Sequence, residues 1–313
     1  TTLRSGYTTG TCAAAAAKAA ALCLRGETCW AVEIVLPDGE AVTLPVEMIE
    51  RLSATAARAA VVKDAGDDPD ITDGMRVVAT IDMGGTEMTF HAGEGVGTVT
   101  LSGLQIPPGE AAINPVPRAM IARAIREVLG DVGCRVTVSI PEGETVAAKT
   151  FNPRLGITGG LSILGTSGRV LPKSEEAWLQ SLLPQVDVAL AAGLTILYLT
   201  PGGFGERAAR EELGAPAQAV IQTSNFIGDV LCAAAERGAQ AMVLVGHVGK
   251  LVKIAAGLFN THSRFGDARL ETVAALAAAE GAPAPVVSAL LDLPTCEAAI
   301  SILDAAGLAV VWD

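Results

Sequence analysis

Four short segments in the second half of the chain have the residue types that hold an anionic or nucleotide-like ligand without bonding to it covalently. They are Gly165-Thr166-Ser167-Gly168, Gly202-Gly203-Phe204-Gly205, Thr223-Ser224-Asn225 and Gly246-His247-Val248-Gly249-Lys250. Glycine lets backbone N–H groups approach a ligand, and a helix that begins there adds the positive end of its dipole. The chemistry such loops support is binding and orientation. Gly203-Phe204-Gly205-Glu206-Arg207-Ala208 has the G-x-G-x-x-A pattern of a dinucleotide loop, but the next strand-like run ends in Thr223-Ser224-Asn225, with no acid to hold a ribose. An ordinary nicotinamide dehydrogenase is therefore disfavoured, and a plain strand–helix turn stays open as the alternative. Gly246–Lys250 lacks the four-residue spacer and following hydroxyl of a Walker A loop. His247 reads either as a proton-transfer group or as the cap of the next helix. His262, within Asn260-Thr261-His262-Ser263-Arg264, reads either as part of an acid–base loop or as part of a capped helix end.

Cations are scarce, so their positions carry information. The 313 residues include 22 basic and 34 acidic side chains, a net charge of −12. Arg118, Lys149, Arg154, Lys250, Lys253 and Arg264 lie in or beside loop-rich segments and are the candidates to pair with ligand carboxylates. The acidic balance counts against a duplex nucleic-acid partner, and 4% aromatic content against a single-strand stacking platform. The six cysteines form no C-x-x-C pair and none lies at zinc spacing from a histidine, so no metal site is expected and the thiols read as reduced, buried and cytoplasmic. No apolar run reaches the roughly 18 residues a membrane span needs. A homo-oligomer is compatible with the composition. Lys63-Asp64-Ala65-Gly66-Asp67-Asp68-Pro69-Asp70 packs four carboxylates together and reads as a divalent-cation site or as an Asx-type turn with a solvated face. Gly93-Glu94-Gly95-Val96-Gly97 reads as a ligand rest or a bent hairpin.

The elements that must position these groups follow from periodicity. Thr11 N-caps an Ala-rich helix from Cys12 that Gly26 stops. Val32–Leu36 and Ala41–Val46 flank a turn at Pro37–Glu40, further strands are expected at 59–63, 76–81, 87–91, 98–101 and 135–140, and a helix runs from Pro117 to Leu129 with Arg123 and Arg126 on its solvent face. After the turn at Pro141–Gly143 the rhythm changes. Leu161–Leu164, Leu194–Leu199, Ala219–Gln222 and Ala241–Val245 each run into one of the four polar loops and then into a helix, which predicts a parallel sheet with helical crossovers and all four loops on its carboxyl edge. The expected fold class is α/β with two domains: an α+β domain over 1–150 and a Rossmann-like parallel-sheet α/β domain over 151–313, with a helical, Ala-rich tail from Asp267.

Taken in order, several strings resemble the cobalt-precorrin-5B C1-methyltransferase family (CbiD) of the anaerobic cobalamin pathway. These are Arg4-Ser5-Gly6-Tyr7-Thr8-Thr9-Gly10-Thr11-Cys12-Ala13-Ala14, Lys63–Asp70, Ala112-Ile113-Asn114-Pro115-Val116-Pro117-Arg118-Ala119-Met120, Lys149-Thr150-Phe151-Asn152-Pro153-Arg154-Leu155-Gly156-Ile157, Leu164–Gly168, Ser224-Asn225-Phe226-Ile227-Gly228, Gly246–Lys253 and Phe259-Asn260-Thr261-His262-Ser263. An Asn-Tyr-Gly-like turn of the family is replaced here by Gly203-Phe204-Gly205, which keeps the ring and loses a hydroxyl. The resemblance implies transfer of a methyl group from S-adenosylmethionine to C-1 of a cobalt-containing tetrapyrrole, with cobalt arriving only in the substrate. On that reading Gly165, Thr166, Ser167, Gly168, Gly202, Gly203, Gly205, Thr223, Ser224 and Asn225 are expected to hold the donor. The six cations would hold the macrocycle, and His247 or His262 would handle a proton. A non-catalytic tetrapyrrole carrier and a nucleotide-dependent oxidoreductase are the competing readings.

Overall fold

The computed structural model describes residues 3–313 and is a mixed α/β protein. It divides into two compact units, one ending at Ala177 and the other beginning at Trp178. The division therefore falls later than the 150/151 boundary expected from the change of rhythm. The reason is that residues 151–177 are fastened to the first unit. Ile157 and Thr158 pair antiparallel with Val99 and Thr98, Arg169 and Val170 pair with Tyr7 and Gly6, and Leu161 and Ile163 bridge to Val96 and Ile113.

The first unit is organised around helix α1 (Thr9–Leu24), whose residues Cys12–Ala17 and Ala19–Ala21 are fully buried. Each alanine presents only a methyl group, so other elements close in on every side; a Leu in their place would overpack the core at about 1–3 kcal/mol. The N-cap is Thr8 rather than Thr11, because the Thr8 hydroxyl accepts the Thr11 N–H. A hairpin of β1 (Ala31–Val35) and β2 (Ala41–Pro45) buries alternate residues Val32, Ile34, Val42 and Leu44, as period-two patterning requires. The main sheet has five strands in the order β3 (Met48–Arg51), β4 (Ala56–Val62), β5 (Arg76–Met83), β7 (Cys134–Ser139), β6 (Met88–Ala92). All its pairs are antiparallel except β6–β7, which is parallel and bridged by helix α2 (Pro115–Leu129). Strand β3 carries no strong alternation and was not expected.

The second unit is built on a three-stranded parallel sheet ordered β9 (Val220–Gln222), β8 (Ile196–Thr200), β10 (Ala241–Leu244). Helix α3 (Pro184–Ala191) precedes it, α4 (Gly203–Glu211) leads from β8 to β9, α5 (Ile227–Glu236) from β9 to β10, and α6 (Val248–Ala255) follows β10. Val186, Ala189, Leu197, Leu199, Ile221, Val230 and Ala234 form its core. Helices α7 (Arg269–Ala279), α8 (Ala284–Leu291) and α9 (Cys296–Ala305) make a satellite bundle that shares Val252 of α6 with Val273, Ala277, Leu290 and Leu303. Among the described residues no helix is long and apolar enough to cross a membrane.

Leu161–Leu164 is not a strand of this parallel sheet. It lies in the first unit, bridged at Leu161 and Ile163.

Candidate functional site

In the order β9-β8-β10 the chain leaves β8 towards one neighbour and later returns to the other side, so strand order reverses between β8 and β10. Ligands of open parallel sheets bind at such a reversal, beyond the strands' carboxyl ends. Three of the four polar loops emerge there. Val245 N donates to Leu199 O at 3.0 Å and Thr223 N donates to Thr200 O at 2.9 Å, which extends the ladder into the loops and holds all three together. The side chains show the approach of the loops after β8 and β10: the Phe204 and His247 rings stand edge to face with centroids 5.3 Å apart.

The glycines of the first loop divide into two kinds. A Cβ added to Gly205 would stand 2.1 Å from the Val245 carbonyl oxygen, so Gly205 is required for helix α4 to pack against β10's exit. It is a packing glycine. At Gly202 and Gly203 an added Cβ would meet nothing within 4 Å. Both are exposed, and Gly202 is fully extended (φ −176°, ψ −178°), so backbone is bared towards open space at the start of α4.

The second loop is held under strain. Ser224 has φ +52°, a left-handed conformation costing a non-glycine residue about 1–2 kcal/mol. Phe226 N donates to Thr223 O at 3.0 Å, Thr261 N donates to Asn225 O at 3.0 Å, and Lys250 Nζ donates to Asn225 Oδ1 at 2.8 Å. Thr223 is fully buried with its hydroxyl turned to Ser224 O, so it is structural and offers no hydroxyl to a ligand. Ser224 and the amide of Asn225 remain half-buried at the edge.

The cations of α6 act inside the protein. Besides Asn225, Lys250 Nζ donates to Thr261 Oγ1 at 3.3 Å, and its pKa is lowered, first by burial and then by the charges of Lys253 and Arg269. Lys253 is buried and donates to the carbonyls of Gly266 (3.0 Å) and Thr261 (3.4 Å). Together they clamp the 259–266 segment onto the second loop. In this structure both ammonium groups are engaged within the protein, whereas the sequence reading expects them to contact the macrocycle. Arg264 is exposed and stacks over Phe265 with its guanidinium carbon 4.5 Å from the ring centroid. His262 Nδ1 accepts the Arg264 N–H at 3.1 Å, so His262 is a helix cap.

His247 is different. It is the N-cap residue of α6 but makes no side-chain capping bond; instead its Nδ1 lies 2.5 Å from Glu297 Oε1 on α9. A carboxylate at that nitrogen keeps a proton on Nδ1, so proton exchange with a ligand falls to Nε2. The Glu297 carboxyl is held below its ordinary range first by a backbone N–H, against the opposing effect of burial, and then by the Thr295 hydroxyl and the charges of His247 and Arg269. Sequence reasoning missed Glu297 because it lies fifty residues beyond its partner; its only local signal is Thr295, an N-cap opening a helix. It also missed Arg207 and Arg210, which point outward from α4 beside Phe204.

The remaining expected site residues belong to the first unit. The Leu164–Gly168 segment caps α1: Gly10 N donates to Leu164 O (2.9 Å), Thr8 N donates to Gly168 O (3.1 Å), and Thr11 Oγ1 donates to Gly168 O (2.7 Å). Thr166 and Ser167 are exposed at its tip. The Arg118 guanidinium is used within its own unit. It donates to Ile113 O (2.7 Å), Ala111 O (3.0 Å) and Glu110 Oε2 (2.7 Å) and so holds the 110–113 segment to α2. Lys149 is exposed, and Arg154 is half-buried on the turn that Asn152 organises through Gly160 O and the Ser162 hydroxyl. The acidic loop is an Asx-type structure whose carboxylates are engaged: Asp64 with Arg4, Asp67 with the Arg4 N–H, Asp68 with the Lys173 N–H, and Asp70 with Lys63. No metal-binding group of His, Cys, Asp or Glu occurs among the described residues. Gly93–Gly97 is a backbone crossing: a Cβ on Gly95 would meet Ile140 O, and one on Gly160 would meet the Gly95 backbone.

With this geometry in place, comparison with known proteins gives a consistent picture. The family model described as CbiD matches residues 1–172, and the model described as CbiD, C-terminal domain, matches residues 260–313. A cobalt-precorrin-5B C(1)-methyltransferase of Moorella thermoacetica is 53% identical over 303 residues, 96% of this chain and 82% of the relative. One of Desulfitobacterium hafniense is 49% identical, covering 95% and 77%. A 1.9 Å crystal structure of the cobalamin biosynthesis protein (cbiD) from Archaeoglobus fulgidus is 29% identical over 84% of this chain and 83% of that one, with a TM-score of 0.45.

Proposed function

The chain belongs to the CbiD family, and from that premise we infer that it is a methyltransferase acting on C-1 of cobalt-precorrin-5B in cobalamin biosynthesis. The near-full-length identity to proteins of that name carries the reading. The finer assignments are our own. The methyl donor is S-adenosylmethionine, the setting is the cytoplasm, and the second unit is a Rossmann-like domain whose strand-end edge holds the donor.

What supports the donor assignment is the bared backbone at Gly202–Gly203. A Cβ at either glycine would meet nothing within 4 Å, which leaves room for a nucleoside-bearing ligand, and the Phe204 and His247 rings pair at the same strand-end edge. When bound, the sulfonium supplies an already activated methyl group. The protein's task is then to hold donor and ring at near-attack distance and exclude water, which requires no covalent nucleophile. Lys250 and Lys253 contribute by fixing Asn225 and the 259–266 segment. His247, with Nδ1 committed to Glu297, offers Nε2 to a proton of the substrate. Lys149, Arg154 and Arg264 are left as candidate partners of the macrocycle's acetate and propionate groups, and Thr166 and Ser167 as exposed hydroxyls of the first unit.

Incubating the purified protein with the cobalt macrocycle and methyl-labelled S-adenosylmethionine tests the reaction. Label should appear in the ring; binding of the ring with no transfer would identify a carrier and overturn the reading. The two histidines separate in the same assay. His247→Ala should slow transfer by about 100-fold, within the usual range for a lost acid–base group, while His262→Ala should stay near wild type. Equal rates for both would remove His247 from the mechanism.

A further inference from the structure

The protein has sixteen arginines in an acidic chain. Carboxylates take most of them: Arg4, Arg25, Arg58, Arg76, Arg118, Arg123, Arg126, Arg169, Arg237 and Arg269 each form an ion pair. Arg51 donates to backbone carbonyls, Arg135 meets His91, and Arg154 and Arg264 have partners of their own. Only Arg207 and Arg210 have no partner among the described residues, although 34 acidic side chains are present.

These two lie three residues apart, and so on one face of α4. They line an open groove with Gly203, Phe204 and Ala215. Phe204 is 54% exposed and bares its ring beside the groove. The two acids on the groove do not neutralise it in the obvious way. Glu206 Oε2 accepts from Gln222 Nε2 at 2.8 Å, and Glu211 pairs with neither arginine. The groove starts at the bared Gly203 turn, so a ligand in it abuts the donor's place.

We propose that this groove binds the peripheral carboxylates of the macrocycle, with Arg207 and Arg210 as the recognising cations and the ring edge laid against Phe204. A guanidinium forks onto a carboxylate through two parallel N–H donors, and an aromatic face accepts the apolar rim of a conjugated ring. An open groove suits such a ligand better than a closed pocket, because carboxylates radiate from the whole circumference of the ring. The inference rests on the reading of the substrate as a multiply anionic tetrapyrrole. It assigns to α4 the anchoring that the lysines of α6 do not perform.

The test is the affinity of the full-length protein for the cobalt macrocycle, followed by the absorbance of the ring, in wild type, Arg207→Ala/Arg210→Ala and Arg207→Lys/Arg210→Lys. The alanine pair should weaken macrocycle binding by about 100-fold, or roughly 2.7 kcal/mol at tenfold per 1.4 kcal/mol, and leave S-adenosylmethionine binding unchanged. The lysine pair should recover part of the loss, and raised salt should shrink the difference between wild type and the alanine pair. Both arginines are exposed and have no partner among the described residues, so the variants should keep the fold. Macrocycle affinity unchanged in the alanine pair would overturn the proposal. Label transfer by the wild-type protein keeps the two questions apart: transfer with unaltered binding in the variant sinks this inference alone, and no transfer by wild type sinks the function.

Discussion

Gly203→Val should abolish donor binding while leaving the protein as stable as wild type, and Gly205→Val, two residues on, should do the opposite in kind. The two glycines share a loop and a composition but not an environment. At Gly203 the new side chain enters empty space at the first residue of α4, where loss of glycine's extra backbone freedom in the unfolded chain offsets any cost. That empty space is where the donor is assigned, so the valine should cut affinity by at least about 100-fold, the effect of roughly 2.7 kcal/mol of lost contact. At Gly205 the Cβ would be driven to 2.1 Å from a backbone carbonyl that cannot move without breaking the Val245–Leu199 ladder bond. That variant should lose stability by several kcal/mol and lose activity only as a consequence. Thermal unfolding and donor titration on both variants check the pair. Normal donor affinity in Gly203→Val would remove the first loop from the donor site.

The second large effect lies in the first unit. Lys63 is among the largest fully buried side chains, its ammonium 2.7 Å from Asp70, and both charges act on the α1 thiol of Cys12, whose pKa burial pushes up to about 12. Burial works against the Asp70 charge, yet the bonds from Lys63 and the Thr72 hydroxyl prevail and its pKa lies below the ordinary carboxyl value. Asp70→Ala would strand a buried ammonium, a change that costs about 3–5 kcal/mol, whereas Lys63→Met combined with Asp70→Leu should be close to neutral. Denaturant unfolding of the three proteins measures this. The sign with pH follows from the lowered pKa. Asp70 contributes stability above its unfolded value, near 4, and loses it as pH falls through the lower folded value. The difference between wild type and Asp70→Asn should therefore shrink below about pH 4. A constant difference down to pH 2 would show that the charge of Asp70 is not what holds the loop.

Much of the frame was legible in the sequence because it depends on local rules. The alanine run could only be a helix, alternation marks the 31–45 hairpin, and the strand–loop–helix rhythm from 194 onwards gives the three parallel strands and their shared edge. What escaped depends on pairing across long separations. Leu161–Leu164 has the look of a buried parallel strand, but its bridges run to Val96 and Ile113, and its glycine loop closes over Thr8 and Thr11. Composition identifies scarce cations without revealing that Arg118 is spent on Glu110 and two carbonyls, or that Lys253 faces inward. Conversely, nothing in the sequence singles out Arg207 and Arg210, and only the ion pairs among the described residues mark them as arginines without partners there. Glu297 reaches His247 because α9 packs on α6 through Val252 and Leu303, a contact no spacing rule encodes.

The central claim, that the donor rests on the strand-end edge of the second unit, is tested most directly by amide hydrogen exchange with and without S-adenosylhomocysteine. Protection confined to peptides covering 201–206, 223–226 and 246–250, with the 164–168 loop unaffected, is the predicted result. Protection of 164–168 with none at 201–206 would contradict it.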